Sequence, residues 1–226
     1  RSGGWDLARI LNRQQLKRTY VVNFDIMVRS VAAVFVFVLF TAKSAEVSDV
    51  ILAANTVLMN IMVFGTHLID GFAHSAEALA GQAVGAKSRF RFRVYSVLSS
   101  QWALIVGLIF ALLTWLLGPP LIDALTVNRE IQETARAYLW WIIVAPVLGV
   151  GCYQLDGIFI GATQSRDLRN MMLISVLVFL VSWEYLTEAF GNHGLWASLM
   201  LFLVVRALTL LARVPALMRE RFPTEP

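Results

Sequence analysis

Six long apolar stretches constrain the fold of this 226-residue sequence more than any other feature. They cover approximately residues 20–41, 50–73, 94–117, 137–160, 171–190 and 195–214. A helix that crosses the hydrocarbon core of a bilayer needs about 20 largely apolar residues, since each residue adds about 1.5 Å. With 58% hydrophobic and only 15% charged residues, the chain carries more apolar surface than one soluble core can bury. The sequence therefore predicts an all-α integral membrane protein, a bundle of six transmembrane helices.

The Lys and Arg residues indicate how this bundle is oriented. They concentrate in alternate connections, which is the pattern that the positive-inside rule interprets. The basic segments are residues 1–18, 87–93, 166–169 and 213–221. We therefore expect both ends in the cytoplasm: residues 1–18 as a cytoplasmic linker, 19–218 as the six-helix unit and 219–226 as a tail. The net charge of +4 then reflects membrane topology and does not predict nucleic-acid binding. Because the sequence opens on a polar, basic segment without Met, we also expect a longer parent protein.

Prolines and glycines predict local features of the helices. Pro119-Pro120 should end the third span, because proline lacks the amide donor and fixes φ. Pro146 should kink or loosen the fourth span. The spacings Gly81-x-x-x-Gly85 and Gly157-x-x-x-Gly161 predict close helix contacts, because glycine lets two backbones approach.

Ionisable side chains inside the predicted spans are candidates for a transport or ion-coupling site, since such groups are costly in a membrane unless they pair or face water. The five candidates are Asp25, Arg29, Asp70, Asp156 and Arg206. Counting residues from the span ends puts Asp70 and Asp156 near the cytoplasmic boundary and Arg206 near mid-depth. Asp25 and Arg29 are four residues apart and share a helix face, so they can pair. A structural ion pair and a proton or cation site both remain open.

A polar stripe closes the second span. His67, Asp70, His74 and Glu77 follow one another at spacings of three, four and three, which places them on one helix face. Such a stripe can chelate a divalent metal, or it can mark a helix that leaves the membrane at the headgroups. Asn55, Tyr153 and Gln154 complete the set of polar residues expected at a cavity or a helix interface. The sequence has no phosphate-binding glycine loop, nucleophile elbow or paired-cysteine metal site, which predicts neither an enzyme nor a cofactor.

Several strings are typical of one transporter family. They are LAAN at 52–55, LIDGFAH at 68–74, EALAGQAVGA at 77–86, LDGIFIGAT at 155–163, RNM at 169–171 and GNHGLW at 191–196. Together they resemble the MATE family of multidrug and toxic compound extrusion transporters, in particular its DinF-like branch. The resemblance extends over nearly the whole chain, from about Leu16 onward.

The resemblance implies that this chain is the C-terminal lobe of a twelve-helix transporter with pseudo-twofold symmetry in the bacterial inner membrane. It implies efflux of organic cationic or amphipathic compounds by antiport and alternating access, with a missing N-terminal lobe as partner. Members with a recognised sodium site carry an acid in the middle of the seventh helix, where this sequence reads Val31-Ala32-Ala33-Val34. H+ is therefore expected as the coupling ion in preference to Na+. The alternatives are a lipid-linked saccharide flippase of the same superfamily, with a more cationic cavity, and an intramembrane metal-binding protein built on the 67–77 stripe.

Overall fold

The computed structural model describes residues 13–223 as six long α-helices with short connections. They are α1 (Arg13–Val47), α2 (Asp49–Gly85), α3 (Arg89–Leu125), α4 (Arg129–Gly161), α5 (Ser165–Phe190) and α6 (Asn192–Arg221). Each helix is long and apolar enough to cross a membrane, and each contains one predicted span. The all-α prediction is confirmed. Residues 1–12 of the predicted linker and 224–226 of the predicted tail lie outside the described residues, whereas residues 13–18 and 219–221 continue α1 and α6.

Polar side chains set where three of the helices begin. The Ser48 hydroxyl accepts the Ile51 amide at 3.1 Å and caps α2, and Ser88 caps α3 in the same way. Asn128 Oδ1 accepts the Glu130 amide at 2.9 Å at the start of α4. These caps satisfy amides that have no partner inside a helix, so connections of one to three residues suffice to reverse the chain.

Neither proline position interrupts its helix, which corrects one prediction. Pro119 and Pro120 lie inside α3, which continues to Leu125 instead of ending at them. Two adjacent prolines remove only two neighbouring donors, and helical pairing is present again where the Thr126 amide meets the Ile122 carbonyl at 3.1 Å. Pro146 is buried within a continuous α4.

α4 is the central helix and packs most closely on α2. It also contacts α3, α5 and α6, and it is the most buried of the six spans. A side-chain Cβ at Gly157 would collide with the Ala73 carbonyl, and one at Gly161 would collide with the Glu77 carbonyl. The second pair differs, because Gly81 faces the Gly161 backbone while Gly85 has open space around it. The predicted close contact is therefore confirmed for Gly157 and Gly161.

In the described part of the chain, three apolar clusters pack the bundle, and the smallest consists of Ile69, Ala103 and Val150. The largest cluster includes Phe40 and Trp196, whose rings meet edge-on at 4.7 Å. The second cluster joins the opposite ends of α2, α4 and α6, including Ala80, Phe159 and Leu217. Asp70, Asp156 and Arg206 each fall in the chain between members of the first cluster and members of the second. These three candidates thus lie between the two larger clusters along α2, α4 and α6, whereas Asp25 and Arg29 lie on α1.

Candidate functional site

Asp156 links three helices through its carboxylate. Its Oδ2 accepts a hydrogen bond from Arg206 Nη2 of α6 and lies 3.4 Å from Arg29 Nη2 of α1. Asp156 and Arg206 are buried, and Arg29 is partly exposed. The sequence places Arg206 deeper in its span than Asp156, and the long arginine side chain covers the difference between the two positions.

The Asp156 cluster borders a cavity of about 280 Å³. Its charged lining residues are Arg29, Asp70, His74, Glu77, Asp156 and Arg206. Tyr153 adds a phenol to the same wall, beside apolar residues such as Phe37 and Phe202. A cavity of this size with opposite charges on its walls can accept water, a small cation or part of a larger amphipathic molecule.

Asp70 differs from Asp156 in having no ion pair. It is half-buried on α2 and lines the cavity, but among the described residues no hydrogen bond or ion pair is made to its carboxylate. Asp156, by contrast, is flanked by two guanidinium groups. Four of the five candidates, all but Asp25, therefore share one cavity, and Asp70 is the acid there without a counter-charge in contact.

Asp25 does not pair with Arg29, which corrects the pairing predicted from their spacing. Its Oδ1 lies 2.5 Å from Arg169 Nη1, and its Oδ2 accepts the Ser165 hydroxyl at 2.9 Å. Both partners lie on α5, and Asp25 is fully buried. Residues four apart share a helix face, but the helices that face them decide their partners. Asp25 therefore ties α1 to α5 and is absent from the cavity wall.

The polar stripe of α2 does not gather into a metal site. His67 is exposed, and its Nδ1 lies 2.7 Å from the carbonyl of Val63 in its own helix. His74 Nδ1 lies 3.7 Å from Glu77 Oε2, also within the helix. Within residues 13–223, no three His, Cys, Asp or Glu side chains come together as a metal-holding group. Asp70, His74 and Glu77 line the same cavity, whereas His67 is absent from its wall.

Asn55 and Gln154 are buried at helix interfaces away from the charged cavity. The Asn55 amide donates to Ser44 Oγ and Asn192 Oδ1, and its oxygen accepts from Asn192 and from Trp196 Nε1 at 2.9 Å. Gln154 Oε1 accepts the Ser99 hydroxyl at 2.9 Å, which joins α4 to α3. Of the expected polar residues, Tyr153 alone joins His74 and Glu77 at the cavity.

Sequence reasoning missed Arg169 as the partner of Asp25. Arg169 was counted among cytoplasmic loop charges, because the fifth span was expected to begin at residue 171. α5 begins at Ser165, so Arg169 is helical and reaches Asp25. Asp167 of the same first turn binds Arg213 of α6 at 3.1 Å. The acidic residue at the start of a helix was the available signal for the earlier start.

The sequence model of the MatE family matches residues 26–186 of this chain. The chain belongs to the MatE family. It is 38% identical over 200 residues to DNA damage-inducible protein F of Escherichia coli (strain K12), a match that covers 88% of this chain and 43% of that protein. It is 21% identical to Protein DETOXIFICATION 42 of Arabidopsis thaliana, over 82% of this chain and 36% of that protein.

A solved structure has the same fold. A crystal structure of the Vibrio cholerae MATE transporter VcmN aligns with a TM-score of 0.86 at 16% identity, covering 96% of this chain and 50% of that one. This MatE chain thus spans about half the length of the relatives it matches. The predicted family and the six-helix fold of one MATE lobe are confirmed, and the chain is a multi-pass membrane protein.

Proposed function

We propose that this chain forms the C-terminal lobe of a multidrug or toxin exporter that exchanges its substrate for H+. The observation that carries the proposal is a cavity inside the six-helix bundle of a MatE chain, walled by acids on α2 and α4. A second lobe, of the size missing relative to the matched proteins, completes the transporter. The protein works in the bacterial inner membrane with both ends of this segment in the cytoplasm, as the basic connections favour.

Asp70 is the coupling acid of this lobe in our proposal. Asp156 is matched by Arg206 and Arg29, so a cation that approaches it meets two positive charges first. Asp70 lines the same cavity without an ion pair to any described residue, so its carboxylate is available to a proton or to a cationic substrate. Binding of either would exclude the other, which is the basis of exchange during alternating access.

The charge on the cavity wall favours a cationic substrate over a lipid-linked pyrophosphate. Asp70, Asp156 and Glu77 face the cavity with two arginines, Arg29 and Arg206. Both arginines lie within ion-pair distance of Asp156, and His74 lies 3.7 Å from Glu77, which leaves Asp70 as the acid without a contacting partner among the described residues. A flippase needs unpaired cations for a pyrophosphate, so this distribution favours the exporter.

The test is proton–drug exchange in everted inner-membrane vesicles that contain the full-length protein with this lobe. The vesicles are energised until a dye reports an acidic interior, and a cationic drug is then added. We expect partial collapse of the pH gradient with the wild-type protein and none with Asp70→Asn at equal expression. Asp123→Asn is the matched control, because Asp123 is a half-exposed acid at the far end of α3, paired with Arg136.

Each of the other outcomes would refute a different part of the proposal. Collapse that persists in Asp70→Asn with the same pH dependence would refute Asp70 as the coupling acid. Uptake on a sodium gradient in place of a proton gradient would move the coupling ion to Na+. No exchange with either gradient would refute the exporter and leave the flippase as the reading to test.

A further inference from the structure

A groove of about 910 Å³ runs along the outside of the bundle between α3 and α6. Both helices pack on α4, which forms the floor of the groove through Leu155 and Ile158. The rings of Phe92 and Phe222 meet at 5.4 Å and hold the two walls together near one end. The groove shares no lining residue with the charged cavity, so what binds here is independent of the proposed transport site.

The groove is amphipathic along its length. Arg89 and Arg93 of α3 and Arg219 of α6 lie at one end, because α3 begins and α6 ends on the same side of the bundle. Val97, Leu104 and Leu211 line the part that extends away from these arginines, and all three are exposed. A ligand that fills the groove must therefore carry a negative charge at one end and an apolar body.

The arginine end of the groove suits a phosphate. Arg89, Arg93 and Arg219 all line it, so three guanidinium groups gather there from two helices. Arginine matches a phosphate in both charge and geometry. A phosphate group therefore fits this end better than a cationic headgroup does.

The length of the groove matches one leaflet of a bilayer. From Arg93 to Leu104 the wall of α3 extends about 16 Å along the helix axis, at 1.5 Å per residue. Half of a bilayer's hydrocarbon core is about 15 Å thick. A phospholipid with its phosphate at the arginines would thus have its acyl chains along the apolar walls to the middle of the membrane.

We propose that this groove is a binding site for an anionic phospholipid of the leaflet on its arginine side. The phosphate lies between Arg93 and Arg219, and one acyl chain lies on the α4 floor. Basic pockets between transmembrane helices on the cytoplasmic side bind anionic headgroups in this manner. The lipid joins α3 to α6, which are otherwise held mainly through α4.

The test measures lipid binding to the full-length protein in neutral detergent by native mass spectrometry. Phosphatidylglycerol and phosphatidylcholine with identical acyl chains are titrated against the wild type and the double variant Arg93→Gln/Arg219→Gln. We expect one tightly bound phosphatidylglycerol, and roughly thirtyfold weaker binding in the variant, since each arginine contributes to attraction of an anionic lipid. Lys87→Gln/Arg91→Gln is the matched control, because both residues are exposed at the same end and neither lines the groove.

Two results of the titration would overturn the proposal: equal affinity for the two lipids in the wild type, or equal weakening in both double variants.

A second measurement separates lipid from protein as the occupant. Cys152 is the chain's only cysteine and is fully buried, so Val97→Cys adds one reactive thiol inside the groove. Labelling by a membrane-dissolved maleimide should slow when phosphatidylglycerol is added. A thiol that stays unreactive in both lipids would mean that another part of the protein covers the groove, which also refutes the proposal.

Discussion

Neutralising Asp156 should destabilise the bundle by about 3 kcal/mol. Asp156→Asn keeps the shape of the side chain but leaves the guanidinium of Arg206, only 5% exposed, without a counter-charge. Breaking a buried ion pair by removing one partner costs about 3–5 kcal/mol in soluble proteins. The unfolded state in a membrane also finds polar partners, which lowers such values. Arg29 acts in the opposite direction and increases the loss, because its guanidinium would then face that of Arg206 without a carboxylate between them.

The assay is reversible unfolding of the purified full-length protein in mixed micelles as the fraction of dodecyl sulfate rises. Asp123→Asn is the control, since the exposed pair Asp123–Arg136 should contribute at most about 1 kcal/mol. Adding Arg206→Met to Asp156→Asn should recover about 2 kcal/mol, because it removes the uncompensated charge. Simple addition of the two single losses, or equal losses in the Asp156 and Asp123 variants, would refute the buried pair.

Three further predictions use the same unfolding assay. Arg169→Gln should lower the free energy of unfolding by about 3 kcal/mol, because it leaves the fully buried Asp25 without its counter-charge. Asp25→Asn should lower it by about half as much, because the Arg169 side chain is 30% exposed and can turn to water. The reverse order would contradict the geometry. Gly161→Ala should lower the free energy of unfolding by about 1–3 kcal/mol, because the new Cβ collides with α2. Gly71→Ala should raise it by about 0.5–1 kcal/mol, because a Cβ there meets nothing within 4 Å. Equal effects of the two variants would mean that α4 packs loosely on α2 at Gly161. Asn55→Leu should cost about 3 kcal/mol by leaving several buried groups unpaired, and unchanged hydrogen-exchange protection at that end would count against it.

The number of helices was predictable because the bilayer sets their length. Six apolar segments of about 20 residues leave little choice, since every amide in the hydrocarbon core must be paired within its own helix. Helix ends were less predictable, as α3 shows by continuing past Pro119-Pro120. Beyond the hydrocarbon core, the ends depend on caps such as Ser88, which composition alone does not weigh.

The members of the site were predictable and their pairing was not. A charged residue within an apolar span can be identified from the sequence alone, and Asp70, Asp156 and Arg206 were identified in this way. Their partners depend on how the helices rotate and tilt against each other. Asp25 pairs with a residue 144 positions away instead of four, because α5 faces that side of α1. Spacing along one helix cannot supply this information, since it describes a single helix face.

The glycine contact between α2 and α4 determines how this lobe can move. Where Gly157 and Gly161 meet the α2 backbone, no side chains can change rotamer to accommodate sliding. In the proposed exporter, we therefore expect these two helices to move together. α1 and α6 reach Asp156 only through the long side chains of Arg29 and Arg206, which can follow a shift of a few ångströms without losing contact. We therefore expect access to the cavity to change when α1 or α6 moves relative to a fixed α2–α4 unit. Arg29 and Arg206 would keep their contact with Asp156 during this movement by changing side-chain conformation.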